Sequence, residues 1–430
     1  MIERASDNVL ASGAWLTAAR VRMVAILSLA STVAVLGYLF ATAHGTVDVF
    51  GRPLGTDFSN VWTAGRMALD ERAALAWDWS AHLAVQRTVH ASGDIPFYGW
   101  HYPPPFLLIA SLLALLEYLP ALIVWQASTL ALTLITVRAI LPGRGTMLAA
   151  IGAPVVLVCL GHGHNGFLTA ALLGGGLLLL DKRPIVAGML LGCIVYKPQF
   201  GLALPAVLIV GGHGRAIVGA LASAALLCAL TLVIWGLPVW IAFLHSLPLT
   251  QAIVIEAGAT GWEKIQSAFA AARNWGLAPG PAWAVQSATA MLAIAGAMLA
   301  ARRARPFVRN AAVIAAGLLS TPYLLDYDLV PLGMAIAFLV ADGVEHGFRR
   351  YDRTLLAIAW IVPLFGRAVM QVTTIPVGLL SIVAVFAVSL RRCGSQVAER
   401  GPGPTEHARE PSRAPIVTPP CTPSRSFSTP

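Results

Sequence analysis

The feature that most constrains this chain is a series of long apolar runs with almost no charge. Residues 23–43, 216–235 and 282–301 each provide about twenty such positions, enough for a helix to cross a hydrocarbon core of roughly 30 Å. A bilayer offers backbone amides no water, so runs of this length are expected to be helical. Only 11% of the 430 residues are Asp, Glu, Lys or Arg, against about a quarter in soluble domains, and the mean hydropathy is +0.74. The expected fold is therefore an all-α polytopic membrane protein. The run 23–40 is long for a cleaved signal and no small-residue site closes it, so it reads as a retained first span.

The formal charge of +9 comes in short basic clusters between the apolar runs rather than on one face, which argues against nucleic acid as a partner. The clusters are Arg20 and Arg22, Arg138 and Arg144, Lys182 and Arg183, Arg215, Arg302 to Arg305, Arg349 to Arg353, and Arg391 and Arg392. Placing them all in the cytoplasm fixes the rest. Segments 44–102, 161–166, 236–281, 323–328 and 367–374, and the neighbourhood of Lys197, then face outward. This predicts about twelve transmembrane helices with both termini inside. The range is eleven to thirteen, because Glu117 and Pro120 interrupt 104–137. Residues 1–21 are expected to be a cytoplasmic N-terminus, 22–393 the transmembrane domain, and 394–430 a disordered cytoplasmic tail rich in Pro, Ser and Thr. Of the five cysteines, three lie in apolar runs and two in or beside the tail, and they suggest neither a disulfide framework nor a metal site.

Nearly every unusual polar residue falls on the outward side. Segment 44–102 mixes apolar and aromatic residues at helical spacing and predicts one or two amphipathic helices at the membrane interface. Asp57 stands just past the first span, at a depth where a carboxylate would meet the head group of a lipid-borne substrate. It is equally placed to cap the helix that follows. Lys197 ends a short apolar run and Pro198 breaks the helix behind it; the ammonium either holds an anion or reaches to the interface. His162, His164 and Asn165 form a polar turn suited to hydrogen bonding with sugar hydroxyls or helix ends, without the further ligands a metal site needs. Tyr323, Asp326, Tyr327 and Asp328, in TPYLLDYDLVP, form an acidic, aromatic turn that suits either a sugar or a helix cap in the aromatic belt. In GWEKIQSAFAAARNWGL, residues Ile265, Phe269 and Ala272 share a helical face, with Lys264 and Arg273 beside it; this predicts a further interfacial helix or a plain surface one.

TDFSNVWTAGR after the first span, HYPPPFLL, GHGHNGFL and YKPQFGLALP, in that order, resemble glycosyltransferase family 87 of the GT-C superfold. That family includes polyprenyl-phosphate-mannose-dependent mannosyltransferases. The resemblance implies an inverting hexosyltransferase, mannose favoured, with a polyprenyl-phosphate sugar donor and a lipid or glycan acceptor. It would act at the periplasmic face of a bacterial inner membrane. Asp57 matches the family's acidic residue in the first outer loop, the implied catalytic base. Lys197, Arg273 and Arg66 are the candidates for the donor phosphate. His101, Tyr102, His164, Asn165, Gln199, Tyr323, Asp326 and Asp328 are the candidates for sugar and acceptor. His162 departs from the family's usual Gly-Gln-Asn type turn. No metal or other cofactor is expected. The chemistry agrees: a lipid phosphate is a stable leaving group, so one base suffices, with cations to meet the charge that develops. A transporter would carry ionisable residues near the midplane and repeated halves, and neither is evident. An O-antigen ligase or polymerase would differ in taking a diphosphate-linked oligosaccharide.

Overall fold

The structure, a computed structural model, describes residues 8–393. The tail expected at 394–430 lies outside them, as do residues 1–7. Among the described residues every regular element is helical, and extended pairing is confined to isolated bridges. Six helices are long and apolar enough to cross a membrane: Ala18–Ala41, Tyr118–Ile140, Gly214–Trp235, Pro238–Glu256, Pro279–Arg303 and Asp326–His346. Two bent pairs, Arg144–Ile151 with Pro154–His162 and Asp352–Leu364 with Gly366–Thr373, raise the number to eight. The chain is a multi-pass membrane protein.

By length and composition, six to eight helices qualify as spans, which does not confirm the twelve expected; one of the six, Pro238–Glu256, falls within segment 236–281, which was expected to lie wholly outside the membrane. Four further apolar helices, Gly166–Leu179, Pro184–Tyr196, Pro198–Val210 and Pro306–Ser320, have 10 to 17 residues, and most fall short of the ~20 that a full crossing takes. Hydropathy reports that they are apolar without reporting where proline and glycine end them. Glu117 does divide the stretch in which it lies, leaving Pro105–Leu113 ahead of Tyr118–Ile140. The nine residues before the break are too few to span.

Burial sorts the spans. The outer helices bury 11% to 39% of their apolar windows, whereas Asp326–His346 buries 78%. On the peripheral helices Val33, Val233 and Leu292 are exposed, as lipid-facing side chains are. The central helix packs Met334, Phe338 and Leu339 into a core shared with Pro306–Ser320, Gly166–Leu179 and Val377–Cys393.

The 21 residues of Asp326–His346 rise roughly 30 Å, and the charged groups collect at its two ends. At the C-terminal end Asp342 binds Arg305 at 2.7 Å and also pairs with Arg392. Arg392 reaches Asp352 at 2.6 Å, and Arg309 pairs with Asp181 at 2.8 Å. Arg305 and Arg392 thus meet through the buried Asp342, and Arg391 and Arg392 through the buried Asp352, while the Arg309 pair lies on the exposed Asp181. The N-terminal end carries Asp326 and Asp328, and the outward segments gather there.

Segment 44–102 folds into two helices, Phe58–Leu69 and Trp79–Val89, joined by the 3-10 turn Ala73–Trp77. An aromatic chain ties it to the rest. Trp77 packs edge-on against Trp100, Trp100 stacks on Phe106, and Phe106 stacks on Tyr196. Segment 262–274 differs from its reading as a helix. Ile265 is held in an extended bridge to Leu325, and the Gln266 amide donates to the Leu324 carbonyl. Helix Ala268–Asn274 therefore starts only after Ser267, whose hydroxyl accepts from the Ala270 amide. Ile265, Phe269 and Ala272 are all buried, so the segment is packed into the protein rather than laid on its surface.

Candidate active site

Asp57 precedes helix Phe58–Leu69, yet its carboxylate makes no capping hydrogen bond. It turns instead to His162, whose Nδ1 lies 3.8 Å away, and keeps 19% of its side-chain surface exposed. The same Nδ1 is hydrogen-bonded to the Thr56 hydroxyl at 2.8 Å. Burial pushes the Asp57 carboxyl above the ordinary carboxylate range, against the pull of His162 and the Tyr327 hydroxyl and reinforced by Asp326 and Asp328. Glycine lets the two segments approach. Gly163 ends helix Pro154–His162 at φ 61°, and a Cβ there would lie 2.7 Å from Phe58 Cβ and 2.8 Å from the Gly55 carbonyl.

Tyr327 links this carboxylate to a second polar group. Its ring stacks on His164 with centroids 3.8 Å apart and meets His162 edge-on. His164 Nε2 bonds the Tyr102 hydroxyl at 3.1 Å, and Nδ1 lies 3.7 Å from Asp328. Lys197 completes the group. The backbone breaks between two 3-10 turns, Cys193–Tyr196 and Pro198–Gly201, as Pro198 requires. The ammonium enters the protein, donating to Asp328 at 2.5 Å and Asn165 at 2.9 Å, with His164 at 3.5 Å. It is 3% exposed, and Asp328 and Asn165 take two of its three hydrogens. Tyr196, beside it, bonds the Thr169 hydroxyl at 2.6 Å.

Thr56 and His162, the immediate neighbours of Asp57, line a groove of about 800 Å³. Its lining is mostly apolar, with Leu39, Leu122, Leu130 and Leu157 among the side chains, and it also includes Arg52, Arg367, Asp48, Asp326 and His162.

A model of glycosyltransferase family 87 matches residues 100–325, more than half of the chain. The chain belongs to glycosyltransferase family 87. No curated protein and no solved structure matches it. The matched region of this glycosyltransferase contains Tyr102, His164, Asn165 and Lys197, while Asp57, Asp326 and Asp328 lie outside it and join it only in the fold.

Of the residues singled out in the sequence, Asp57, Tyr102, His164, Asn165, Lys197 and Asp328 come together in one cluster, with Asp326 on the groove beside it. Tyr323 packs under the bridge formed by Ile265 and Leu325. Gln199 is partly buried one turn from Lys197. His101 bonds the Thr250 hydroxyl at 3.1 Å, and burial lowers its pKa to about 4, so the ring is neutral at pH 7. Arg66 is held by Asp70 at 2.9 Å. Arg273 donates to the carbonyls of Leu277 and Glu256 and lies over the Trp262 ring. Both arginines thus serve their own segments, and no contact among the described residues joins either to Asp57. Among those residues, no three His, Cys, Asp or Glu side chains assemble as metal ligands.

Sequence reasoning set His162 aside as a departure and named Tyr327 only as part of its turn; these two residues link Asp57 to the Lys197 group. The signal for Tyr327 was its position between Asp326 and Asp328 in TPYLLDYDLVP.

Proposed function

We propose that this glycosyltransferase moves a hexose, with mannose favoured by the family resemblance, from a polyprenyl-phosphate donor to a lipid or glycan acceptor. The observation that carries the proposal is the Asp57 carboxylate, released from helix capping and held against His162, which with Thr56 lines a largely apolar groove that also carries Arg52 and Arg367. In this reading the groove takes the isoprenoid chain and leaves the anomeric carbon near Asp57. Asp57 accepts the proton of the attacking hydroxyl as general base. Attack opposite the phosphate inverts the anomeric centre. The reaction occurs on the side of the membrane opposite the Arg305, Arg391 and Arg392 network, which the positive-inside rule makes the periplasmic face of a bacterial inner membrane. The architecture in this reading is of GT-C type.

A raised carboxyl pKa suits such a base, because a more basic carboxylate accepts a proton more readily. Tyr102, His164, Asn165, Asp326 and Asp328 are proposed to contact sugar or acceptor hydroxyls, with Gln199 and Tyr323 behind them. The test is to incubate the purified protein with a panel of radiolabelled polyprenyl phosphosugars and membrane lipid acceptors and to identify the product. Transfer from a phosphosugar, mannose first, is expected. Transfer only from diphosphate-linked oligosaccharides would overturn the proposal in favour of a ligase or polymerase.

A further inference from the structure

A departing lipid phosphate needs cations, and Lys197 is buried and already paired with Asp328 and hydrogen-bonded to Asn165. Two other cations stand differently. Lys264 ends the 3-10 turn Trp262–Lys264, and Arg367 lies in helix Gly366–Thr373 and lines the groove together with His162 and Asp326. Both are half-buried.

The loop and the helix that carry them are stitched together. Gln371 Nε2 donates to Glu263 Oε1 at 3.4 Å, and Trp275 Nε1 donates to the Thr374 carbonyl at 3.0 Å. The Gln266 side chain fills the space over Gly378, where a Cβ would lie 2.0 Å from its Oε1. This seam brings Lys264 into the field of Arg367, and also of Asp326 and Asp57. Neither the Lys264 nor the Arg367 side chain makes a hydrogen bond or ion pair with another described residue. Holding two half-buried like charges together costs free energy that a bound anion would recover. Burial first, and Arg367 second, hold the Lys264 ammonium below the ordinary lysine range, with Glu263 pulling the other way.

We infer that Lys264 and Arg367 are the residues that receive the phosphate of the lipid-linked donor and hold it as it leaves, an assignment that rests on the donor reading above. In the transfer, the bond between the anomeric carbon and the phosphate oxygen breaks and its electron pair stays on the oxygen. The acceptor oxygen takes its place on the carbon and its proton passes to Asp57. The lipid phosphate thus departs with one more negative charge than it had in the donor. Two fixed cations beside it interact more strongly with that product-like charge than with the donor, and so act on the barrier as well as on binding.

The test titrates farnesyl phosphate and farnesol, short analogues with and without the phosphate, into the full-length protein purified in detergent. Wild type is expected to prefer the phosphate. Lys264→Gln with Arg367→Gln should cut that preference roughly tenfold or more, the loss expected when charge-assisted hydrogen bonds are removed. Farnesol binding, which reports an intact groove, should be unchanged, and Lys264→Arg with Arg367→Lys should retain the preference. A neutralised double variant that keeps the wild-type preference overturns this assignment and leaves the donor reading standing. A wild type that does not distinguish the two ligands overturns both. If the double variant also loses farnesol, the single variants carry the test: full phosphate preference in both, with farnesol binding intact, overturns the assignment.

Discussion

Asp57 occupies the N-cap position of a helix and does not cap it; its carboxylate lies 3.8 Å from His162 Nδ1, on the far side of a close contact made possible by Gly163. A capping Asp would satisfy the first amides of its helix and be worth about 1 kcal/mol to stability. Here that contribution is forgone and the carboxylate is kept partly desolvated, its charge supported by His162 and Tyr327. Stability is given up at the position where a base is wanted, a common feature of active sites.

If Asp57 is the base, Asp57→Asn keeps the size of the side chain and removes its capacity to take a proton. Turnover should fall by a factor on the order of 10² to 10⁴ while donor binding changes little. Single-turnover transfer and donor titration on folded protein separate the two. An Asp57→Asn enzyme with near wild-type turnover would remove Asp57 from the mechanism. Asp326, which lines the groove, would then be the next candidate, ahead of Asp328, which Lys197 already neutralises.

Direction of titration gives a second expectation. The Asp57 carboxyl is raised by burial, so between its unfolded and folded pKa values the native state holds a proton that the unfolded chain has released. Stability therefore falls as pH rises through that window. Ionised Asp57 costs stability that Asn does not, so the melting temperature of wild type relative to Asp57→Asn should fall as pH rises above the ordinary carboxylate range. Activity runs the other way, because the base must be ionised. The acid limb of the rate profile should lie above the ordinary carboxylate range, with His162, Tyr327, Asp326, Asp328 and Lys264 as the neighbours able to shift it. A wild type whose melting temperature rises relative to that of Asp57→Asn as pH increases would contradict the sign.

How much of this was legible in the sequence depends on the range of each interaction. Local rules served well. Pro198 breaks its helix, Glu117 marks a boundary, and the amphipathic pattern after the first span becomes two helices. What a cation does depends on distant partners, and there the reading diverged. Lys197 was legible as an unusual membrane lysine, but Asp328, its partner at 2.5 Å, lies on another helix far along the chain. Arg273 sat beside an apolar stripe in the sequence, yet its donors close onto its own loop. Lys264 and Arg367 drew less notice because only the fold sets their segments side by side. Span counting diverged for a related reason, since packing decides whether a short apolar helix crosses the bilayer.

Topology can be checked without any knowledge of the reaction. The Arg305, Arg391 and Arg392 network lies at one end of Asp326–His346 and Asp326 at the other, roughly 30 Å away. With the basic end in the cytoplasm, cysteines placed at positions 57, 261 and 326 should react with an impermeant maleimide added outside intact cells, once buried positions are opened by a short pulse of mild detergent. Cysteines at 182, 303 and 391 should not. Labelling at 303 with none at 261 would invert the orientation and carry the proposed reaction to the cytoplasmic face.

Lys197 offers the sharpest contrast between two readings. Taken as a donor-phosphate ligand, its removal should weaken donor binding by roughly 1.5 to 3 kcal/mol, the range for a hydrogen bond to a charged group, and leave stability alone. Its geometry argues otherwise. The ammonium is 3% exposed and holds Asp328, Asn165 and His164 at once, so Lys197→Ala leaves a buried carboxylate without its counter-charge. Breaking one side of a buried pair costs roughly 3 to 5 kcal/mol, whereas removing both charges costs less. Lys197→Ala should therefore melt well below wild type, and Lys197→Ala with Asp328→Asn should recover part of the loss. Farnesyl phosphate should bind the folded fraction about as well as it binds wild type, because Lys264 and Arg367 are still present. A Lys197→Ala protein as stable as wild type, with phosphate binding weakened and farnesol binding intact, would return Lys197 to the donor site and make its contact with Asp328 one that opens when the donor arrives.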